Sequence, residues 1–368
     1  MGILLMFKKR EKIFIPTGGN TLEEMCCNIL MQAADDGLLK IAFFCSASND
    51  NEYLDVLATL RSTVYRFFQG KKPLVSYIAQ KPGSSALAAE ALYLADADAC
   101  IERHRRYTLL KRGECTEIIT EGIVPSNVAM TAFEQSMEIF STIGDILHMN
   151  GFRPSDIYRQ WNYIQNITAG KDGSQNYQEF NDARSIFYNG CDWSNGYPAA
   201  TGIGTCAGGI MVELCAIKGY SGTNSPIDNP LQIAAHSYSQ EVLDGKVIES
   251  LQERTTPKFE RARLLDGNIF ISGTAAIKGE HSNFSDNAVE QAAETMEIMD
   301  RLIAADNIPV PTEGAQYDIL RVYVKRESDI PAIRTYMEQH YPAVPKHYLV
   351  ADVCRPELLI EIEGVAHI

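Results

Sequence analysis

Two glutamates near the end of the sequence are the first residues whose type and spacing suggest chemistry. The alternation of a strand would divide PELLIEIEG, residues 356–364, into two faces, with Leu359, Glu361 and Glu363 on one and Leu358, Ile360 and Ile362 on the other. Burial and a neighbouring like charge both raise the pKa of a carboxyl. Glu361 could therefore keep its proton near neutral pH and act as a general acid. A strand glutamate can equally pair with an arginine for a structural reason, and the spacing alone does not decide between the two roles.

Length, charge and hydropathy restrict the class of protein. The chain has 368 residues, 45% of them hydrophobic, which is enough for two or three domains with a core. The net charge of −14, without a basic stripe, argues against a nucleic-acid partner. No apolar run is long enough for a membrane helix, and the first residues do not resemble a signal peptide. We therefore expect a cytoplasmic protein without a membrane partner, in which an anionic ligand would need a local arginine cluster.

The cysteines and histidines do not predict a metal site. The nine cysteines are scattered without a CxxC pair, which favours reduced thiols over disulfides or zinc ligands. His281 has no second histidine or carboxylate at ligand spacing.

Two stretches of the sequence share one plan, which indicates an internal repeat. Residues 131–164 and 287–324 each contain Glu-Gln, an amphipathic helix, a polar turn and a strand with aromatic residues. A strand pair precedes each stretch. A second helix, a proline-led segment and an acid-bearing strand follow it. This comparison places Glu213 opposite Glu361.

Each repeat is typical of a β-β-α-β-α-β unit of roughly 110 residues, the size of one α+β domain. The first hundred residues contain two strand patterns, IAFFCSASN and PLVSYIAQKPG, with a helix pattern between them, which we interpret as an extension folded onto the first unit. We therefore predict an α+β protein of two tandem units with an N-terminal extension. The expected boundaries are 1–219 for the extension and first domain, 220–257 for a linker, and 258–368 for the second domain.

The motifs resemble a known family. ISGTAAIKGE, LRVYVKRESDI and CRPELLIEIEG are similar to the RidA/YjgF-like fold, which is also chorismate mutase-like. Together with RQWNYIQNI, YQEFNDARSIFY and YPAATGIG of the first repeat, they resemble the chorismatase branch of that fold, from about residue 38 to the end. Chorismatases cleave the enolpyruvyl ether of chorismate and release pyruvate, without a metal or an organic cofactor. The resemblance implies chorismate as the small-molecule partner, and we expect a monomer or a homotrimer.

The resemblance also implies roles for two catalytic residues. Glu361 matches the first glutamate of the family's EIE stretch, the acid proposed to protonate the enolpyruvyl methylene. Cys354 stands at the position where hydroxybenzoate-forming members carry cysteine and hydrolases carry alanine. Together with Ala275 in the SGTA turn, Cys354 implies the branch that makes both 3- and 4-hydroxybenzoate.

The two carboxylates of chorismate need fixed cations and hydrogen-bond donors. Tyr177 and Arg184, seven residues apart on one helical face, match substrate-binding positions of the family. Arg263 and Arg355 are further candidates, although Arg355 is also typical of a surface charge. Thr201 and the Gly202 amide would either bind a carboxylate or form part of a small-residue turn, and both readings stay open. The full set of expected substrate-binding residues is Tyr177, Arg184, Thr201, Gly202, Arg263 and Ala275.

We therefore expect a pyruvate-releasing chorismatase that forms 3-hydroxybenzoate, with or without 4-hydroxybenzoate. Three alternatives stay open at this point. One is a related substrate that yields an aminobenzoate. Another is an imine deaminase of the RidA kind, which is disfavoured because Tyr348 stands where those enzymes carry an arginine. The third is a non-catalytic metabolite-binding protein, because a fold does not fix a function.

Overall fold

The computed structural model describes residues 7–70, 72–96, 98–170, 174–243, 245, 247, 253–282 and 286–368. The first six residues and part of the predicted linker lie outside these ranges. The α+β class is confirmed, since the described chain forms helices packed on mixed sheets.

The N-terminal unit contains more structure than the expected extension. Its elements are β1 (Lys9–Phe14), α1 (Leu22–Ala33), β2 (Leu38–Cys45), α2 (Asp50–Phe68), β3 (Leu74–Ala79), β4 (Lys81–Pro82) and β5 (Ala88–Leu94). The four-stranded sheet has the order β1-β5-β2-β3, and only β2 and β3 are parallel. Both helices share an apolar core with one face of this sheet.

The middle unit corresponds to the first predicted repeat. Its elements are β6 (Cys100–Arg103), β7 (Tyr107–Arg112), β8 (Cys115–Thr120), α3 (Ala132–Met149), a 3-10 turn (Pro154–Asp156), β9 (Ile157–Gln165), α4 (Asn176–Tyr188), β10 (Ala199–Thr205) and β11 (Ile210–Lys218). The sheet order is β10-β9-β11-β8-β7-β6.

The C-terminal unit corresponds to the second predicted repeat. Its elements are β12 (Asn224–Ile227), a 3-10 turn (Ala235–Ser237), β13 (Ala262–Leu265), β14 (Asn268–Thr274), β15 (Ile277–Lys278), β16 (His281–Ser282), α5 (Ala288–Leu302), β17 (Gln316–Val324), a 3-10 turn (Glu327–Asp329), α6 (Ile330–His340), β18 (Lys346–Val350) and β19 (Ile360–His367). The main sheet has the order β12-β13-β14-β19-β17-β18-β4, so β4 of the N-terminal unit pairs with β18.

The three units repeat one strand order. The strands β1-β5-β2-β3, β8-β11-β9-β10 and β14-β19-β17-β18 run in the same sequence across their sheets. The strands β2, β9 and β17 also have a register shift against β5, β11 and β19 at the same place. The shifts lie near Lys40, Arg159 and Ile319. The predicted repeat lacked one strand, because the proline-led segments end in the parallel strands β10 and β18. The division at 1–219, 220–257 and 258–368 stays a proposal, within which β12 of the linker already pairs with β13.

In both predicted repeats, the glutamine of the Glu-Gln motif connects the start of a helix to the last strand of the unit by a hydrogen bond. Thr131 and Glu134 form a capping box at the start of α3. Gln135 Oε1 then accepts a hydrogen bond from the Ile210 amide at 3.0 Å. In the C-terminal unit, Gln291 Oε1 accepts one from the Leu359 amide at 2.8 Å. The helix start therefore positions the strand that carries Glu361.

The predicted alternation in residues 356–364 is correct only from Ile360 onward. Ile360 and Ile362 enter the core beneath the helices, while Glu361 lies on the opposite face. Leu358 and Leu359 precede the strand, and they pack on the sides opposite to those predicted. The reason is that β19 begins at Ile360, so the strand period does not extend back to them.

The helix-free faces of the three sheets pack against one another. Two apolar clusters there combine residues of all three units. Three buried ion pairs cross between units: Lys40 with Glu213 at 2.8 Å, Arg159 with Glu363, and Arg321 with Glu90 at 3.0 Å. Each cation reaches the glutamate of the next unit, so the three pairs close a ring. We call these six residues the junction ring.

The junction ring corrects one match made from the sequence. Glu90, Glu213 and Glu363 face Ala42, Trp161 and Arg321, which occupy equivalent places in their strands. Glu213 therefore corresponds to Glu363 and not to Glu361. The apolar pattern of the strands could not distinguish these alignments, because a shift of two residues leaves every side chain on the same face.

No helix in the described part of the chain has the length and apolar character needed to cross a membrane.

The junction ring predicts a specific pattern of stabilities. Lys40→Met should lower the free energy of unfolding by about 3 kcal/mol or more, because it leaves Glu213 charged and buried without its partner. The double variant Lys40→Met/Glu213→Met should recover most of this loss. Urea unfolding midpoints of the wild type and of both variants would measure the effect. Equal midpoints for the single variant and the wild type would contradict it.

Candidate active site

A cavity of about 80 Å³ lies between the middle and C-terminal units, with room for several water molecules. The segment that connects these units forms part of its wall. Of the expected residues, five line it: Tyr177, Gly202, Ala275, Cys354 and Glu361. The structure thus brings together residues that are up to 184 positions apart (361 − 177).

Glu361 is the acidic group of this cavity. Its side chain is only 4% exposed, and no described residue donates a hydrogen bond to its carboxyl. Burial, followed by the negative charge of Glu363, raises the pKa of Glu361 to about 8. Gly273 makes room for it, since a Cβ on this residue would lie 2.0 Å from Glu361 Oε1. Glu361 is therefore a carboxylic acid that keeps its proton at neutral pH.

Glu363, two residues further along the same face, has the opposite environment. It accepts hydrogen bonds from Arg321 Nη1 and from the Tyr323 hydroxyl, each at 2.7 Å. Arg159 and the Thr201 hydroxyl also donate to it. Four donors bind the Glu363 carboxyl, whereas no described residue donates to the carboxyl of Glu361. Such a contrast between neighbouring carboxyls separates a proton donor from a fixed charge.

Cys354 lies beside Glu361 in the cavity wall. Burial, followed by the charge of Glu361, raises the pKa of the Cys354 thiol to about 12. The group is therefore a neutral thiol and not a thiolate nucleophile. Ala275 lines the same cavity.

Tyr177 and Gly202 form the wall contributed by the middle unit. The ring of Tyr177 packs directly on Gly202, where a Cβ would lie 2.8 Å from Tyr177 Cε2. Burial raises the pKa of the Tyr177 phenol, so its hydroxyl is a neutral donor. Arg184 lies behind this wall, and its Nη2 donates to Asn181 Oδ1 at 2.5 Å. Asn181 itself lines the cavity.

Thr201 and Arg263, like Arg184, are expected binding residues that do not line the cavity. Thr201 Oγ1 donates to Glu363 and accepts the Gly273 amide at 3.1 Å. Its hydroxyl is thus occupied by the protein itself. Arg263 donates to Asn224 Oδ1 at 2.6 Å and to the Tyr197 carbonyl at 2.8 Å. Both side chains support the walls rather than line them.

Arg261 and Tyr238 line the cavity although the sequence did not single them out. Arg261 Nη2 donates to the Tyr238 hydroxyl at 2.7 Å. Arg355, a weaker candidate from sequence, also lines the cavity, and both guanidinium groups lie over the Tyr238 ring, at 5.5 Å for Arg261 and 5.6 Å for Arg355. The only signal for Arg261 in the sequence was its place in FERARLL, where Arg263 was selected as the candidate instead. These two cations form the local cluster that an anionic ligand needs.

Among the described residues, no three histidine, cysteine or acidic side chains come together as a metal site. His281 is exposed at the end of β16.

Comparisons with known proteins address the family of this chain. A family model described as "Chorismatase FkbO/Hyg5-like, N-terminal" matches residues 98–216. A 3-hydroxybenzoate synthase of Streptomyces hygroscopicus is 30% identical over 248 residues, which cover 63% of this chain and 69% of that protein. The chain belongs to the chorismatase family.

Two further comparisons extend this assignment. A chorismatase of Streptomyces rapamycinicus is 31% identical to the present chain over 244 residues, which cover 62% of this chain and 68% of that protein. A solved chorismatase structure aligns with a TM-score of 0.72 and 21% identity, covering 98% of both chains, which shows the shared fold. The cytoplasmic location and the monomeric or homotrimeric state stay predictions.

The protonated state of Glu361 can be tested without an activity assay. A carboxyl whose pKa rises from 4.5 to about 8 on folding contributes stability that is complete below pH 4.5 and is lost as the pH rises through about 8. Glu361→Gln lacks this titration. Relative to the wild type, the free energy of unfolding of this variant should therefore increase by a few kcal/mol between about pH 5 and about pH 9, at about 1.4 kcal/mol for each pKa unit.

Urea unfolding at both pH values would measure the difference, with the exposed Glu313→Gln as the matched control. A Glu361→Gln difference that does not change with pH would show that Glu361 is ionised.

Proposed function

We propose that this protein converts chorismate to 3-hydroxybenzoate and pyruvate, with Glu361 as the proton donor. The observation that carries the proposal is a buried, protonated carboxyl in a cavity that also presents two guanidinium groups. Relatives about 30% identical bear the names 3-hydroxybenzoate synthase and chorismatase, and this supports the choice of substrate.

The first step transfers the Glu361 proton to the methylene carbon of the enolpyruvyl group. The double-bond electrons form the new C–H bond, and the ether oxygen stabilises the resulting oxocarbenium ion. An ordinary glutamate would be ionised at neutral pH and could not donate. The raised pKa of Glu361 provides the acid, and the carboxylate formed then stabilises the adjacent cation.

The second step requires capture of the cation from within the substrate. Hydroxybenzoic acid and pyruvic acid together contain every atom of chorismic acid, so no water is consumed. A ring hydroxyl therefore forms a C–O bond to the cationic carbon, and its proton returns to the Glu361 carboxylate. The ring bond to this oxygen then breaks with the electron pair going to the oxygen, while the ring loses a C–H proton and becomes aromatic. The transferred oxygen forms the carbonyl of pyruvate as the bond between the pyruvyl carbon and the original ether oxygen breaks, and the phenol oxygen left on the ring takes up the proton.

The cavity arginines bind the two carboxylates of the substrate. Arg261 and Arg355, both close to the Tyr238 ring, supply charge-assisted donors. Tyr177 and the Gly202 backbone position the ring from the middle unit. Arg184 acts through Asn181, and Thr201 and Arg263 hold the walls.

Cys354 and Ala275 determine the product. Beside Glu361, the neutral Cys354 side chain restricts access of water to the cation, so the ring hydroxyl reacts instead. With Ala275 in the same wall, we propose that 4-hydroxybenzoate accompanies 3-hydroxybenzoate.

Incubation with chorismate in D2O tests the acid step. We expect pyruvate that carries one deuterium in its methyl group, trapped as lactate by lactate dehydrogenase and measured by mass spectrometry. Activity should fall as the pH rises through about 8, because Glu361 then loses its proton. Glu361→Gln should lower kcat by roughly a thousandfold or more, while Glu313→Gln should not. Absence of pyruvate from the wild type would refute the proposed reaction.

Cys354→Ala tests the control of the product. We expect pyruvate release to persist while the ring product shifts from hydroxybenzoate to a dihydroxy-cyclohexadiene acid, because water reaches the cation. Chromatography of the products would measure the ratio. Cys191→Ala is the control, since this half-buried cysteine lies outside the cavity. An unchanged ratio in Cys354→Ala would remove Cys354 from product control.

A further inference from the structure

A second cavity of about 260 Å³ lies where all three units meet. Its walls include Leu92 of the N-terminal unit, Arg159 and Trp161 of the middle unit, and Phe270 of the C-terminal unit. It shares no lining residue with the cavity that contains Glu361. The proposed reaction therefore does not account for it.

Two hydrogen-bond donors in this wall have no partner among the described residues. They are Arg159 Nη1 and Trp161 Nε1. Arg159 is only 2% exposed, and its guanidinium lies 4.7 Å from the centre of the Trp161 ring. Buried donors without a partner are costly, and a charged one especially so. Two donors on stacked side chains match the two oxygens of one carboxylate.

The remaining walls suit an aromatic ring. Phe7, Tyr158 and Phe270 contribute aromatic surface, with the last two rings 5.0 Å apart. Lys9 is already paired with Glu117 and donates to the Tyr158 hydroxyl at 2.8 Å. Asp318 is paired with His367 at 2.7 Å. Arg10 also lines the cavity and is paired with Asp35 at 2.8 Å, and burial raises the pKa of the Glu11 carboxyl in the same wall to about 7. Among the described residues, Arg159 is a cation of this wall with a buried donor that has no partner.

We propose that this second cavity binds a small aromatic carboxylate, with its carboxylate on Arg159 and Trp161 and its ring among the aromatic side chains. The site also connects to the acid. Arg159 donates to Glu363 and, at 3.1 Å, to Thr201. A ligand that shares Arg159 weakens the neutralisation of Glu363, whose charge acts on Glu361. This effect on the acid rests on the proposed function, whereas binding itself does not.

Trp161 fluorescence tests the proposal independently of activity. The chain has two tryptophans, so Trp161 is the sole reporter in a Trp193→Phe background. Titration with benzoate should give a saturable change in emission, and titration with the neutral benzamide should not. The absence of a saturable benzoate response would overturn the proposal.

A matched pair of substitutions assigns the response to the second cavity. Leu92 is half-buried in its wall, and Leu92→Glu and Leu92→Gln differ in charge at nearly equal shape. Benzoate should bind Leu92→Glu roughly tenfold more weakly than Leu92→Gln, because a carboxylate in the wall repels the ligand. Equal affinities would place benzoate elsewhere and overturn the proposal. Val365→Glu and Val365→Gln, at another half-buried wall position, provide a second pair if the Leu92 variants do not fold.

Discussion

The ion pair between Arg159 and Glu363 is the interaction on which the rest of the structure depends. It joins the middle unit to the C-terminal unit inside the junction ring, where both side chains are almost fully buried. A buried charge without its partner is strongly destabilising. The strands that carry these residues must therefore meet in one register. That register also fixes the distance between β10 and β19, which contribute residues to the candidate active-site cavity.

The same pair separates the roles of the two glutamates. Arg159 and Arg321 both pair with Glu363, whose carboxylate lies on the same strand face as Glu361. Among the described residues, neither a cation nor a hydrogen-bond donor pairs with Glu361, so burial and the neighbouring charge keep its proton in place. Burial is the larger cause of this raised pKa, and the carboxylate of the ion pair adds to it. The acid is a consequence of how the units are joined.

The repeated architecture explains why the acid occurs in one place. The residues that correspond to Glu361 in register are Ala88 in the N-terminal unit and Met211 in the middle unit. Both are apolar and support packing between units. Because the three units belong to one chain, each junction can differ in sequence. The junction between the middle and C-terminal units contains the candidate active-site cavity.

The sequence by itself determined the local elements of this protein. The α+β class, the Glu-Gln helix starts and the alternation from Ile360 onward depend on periodicity and capping between near neighbours. The family motifs identified Glu361, Cys354, Tyr177 and Gly202, and the structure brings these residues to one cavity. Only the tertiary structure showed that the first hundred residues form a third unit, since their strand order depends on pairing between distant segments.

The tertiary structure also decided which polar side chains reach the cavity. Arg261 lies at a bend before β13 and enters the cavity, whereas Arg263 within that strand binds the neighbouring chain segment. The Thr201 hydroxyl donates a hydrogen bond to Glu363 and accepts one from the Gly273 amide. These partners of Thr201 are 72 and 162 residues away in sequence (273 − 201 and 363 − 201), and the partners of Arg263 are 39 and 66 residues away. Local patterns specify which face a residue occupies, but only long-range packing specifies what it meets there.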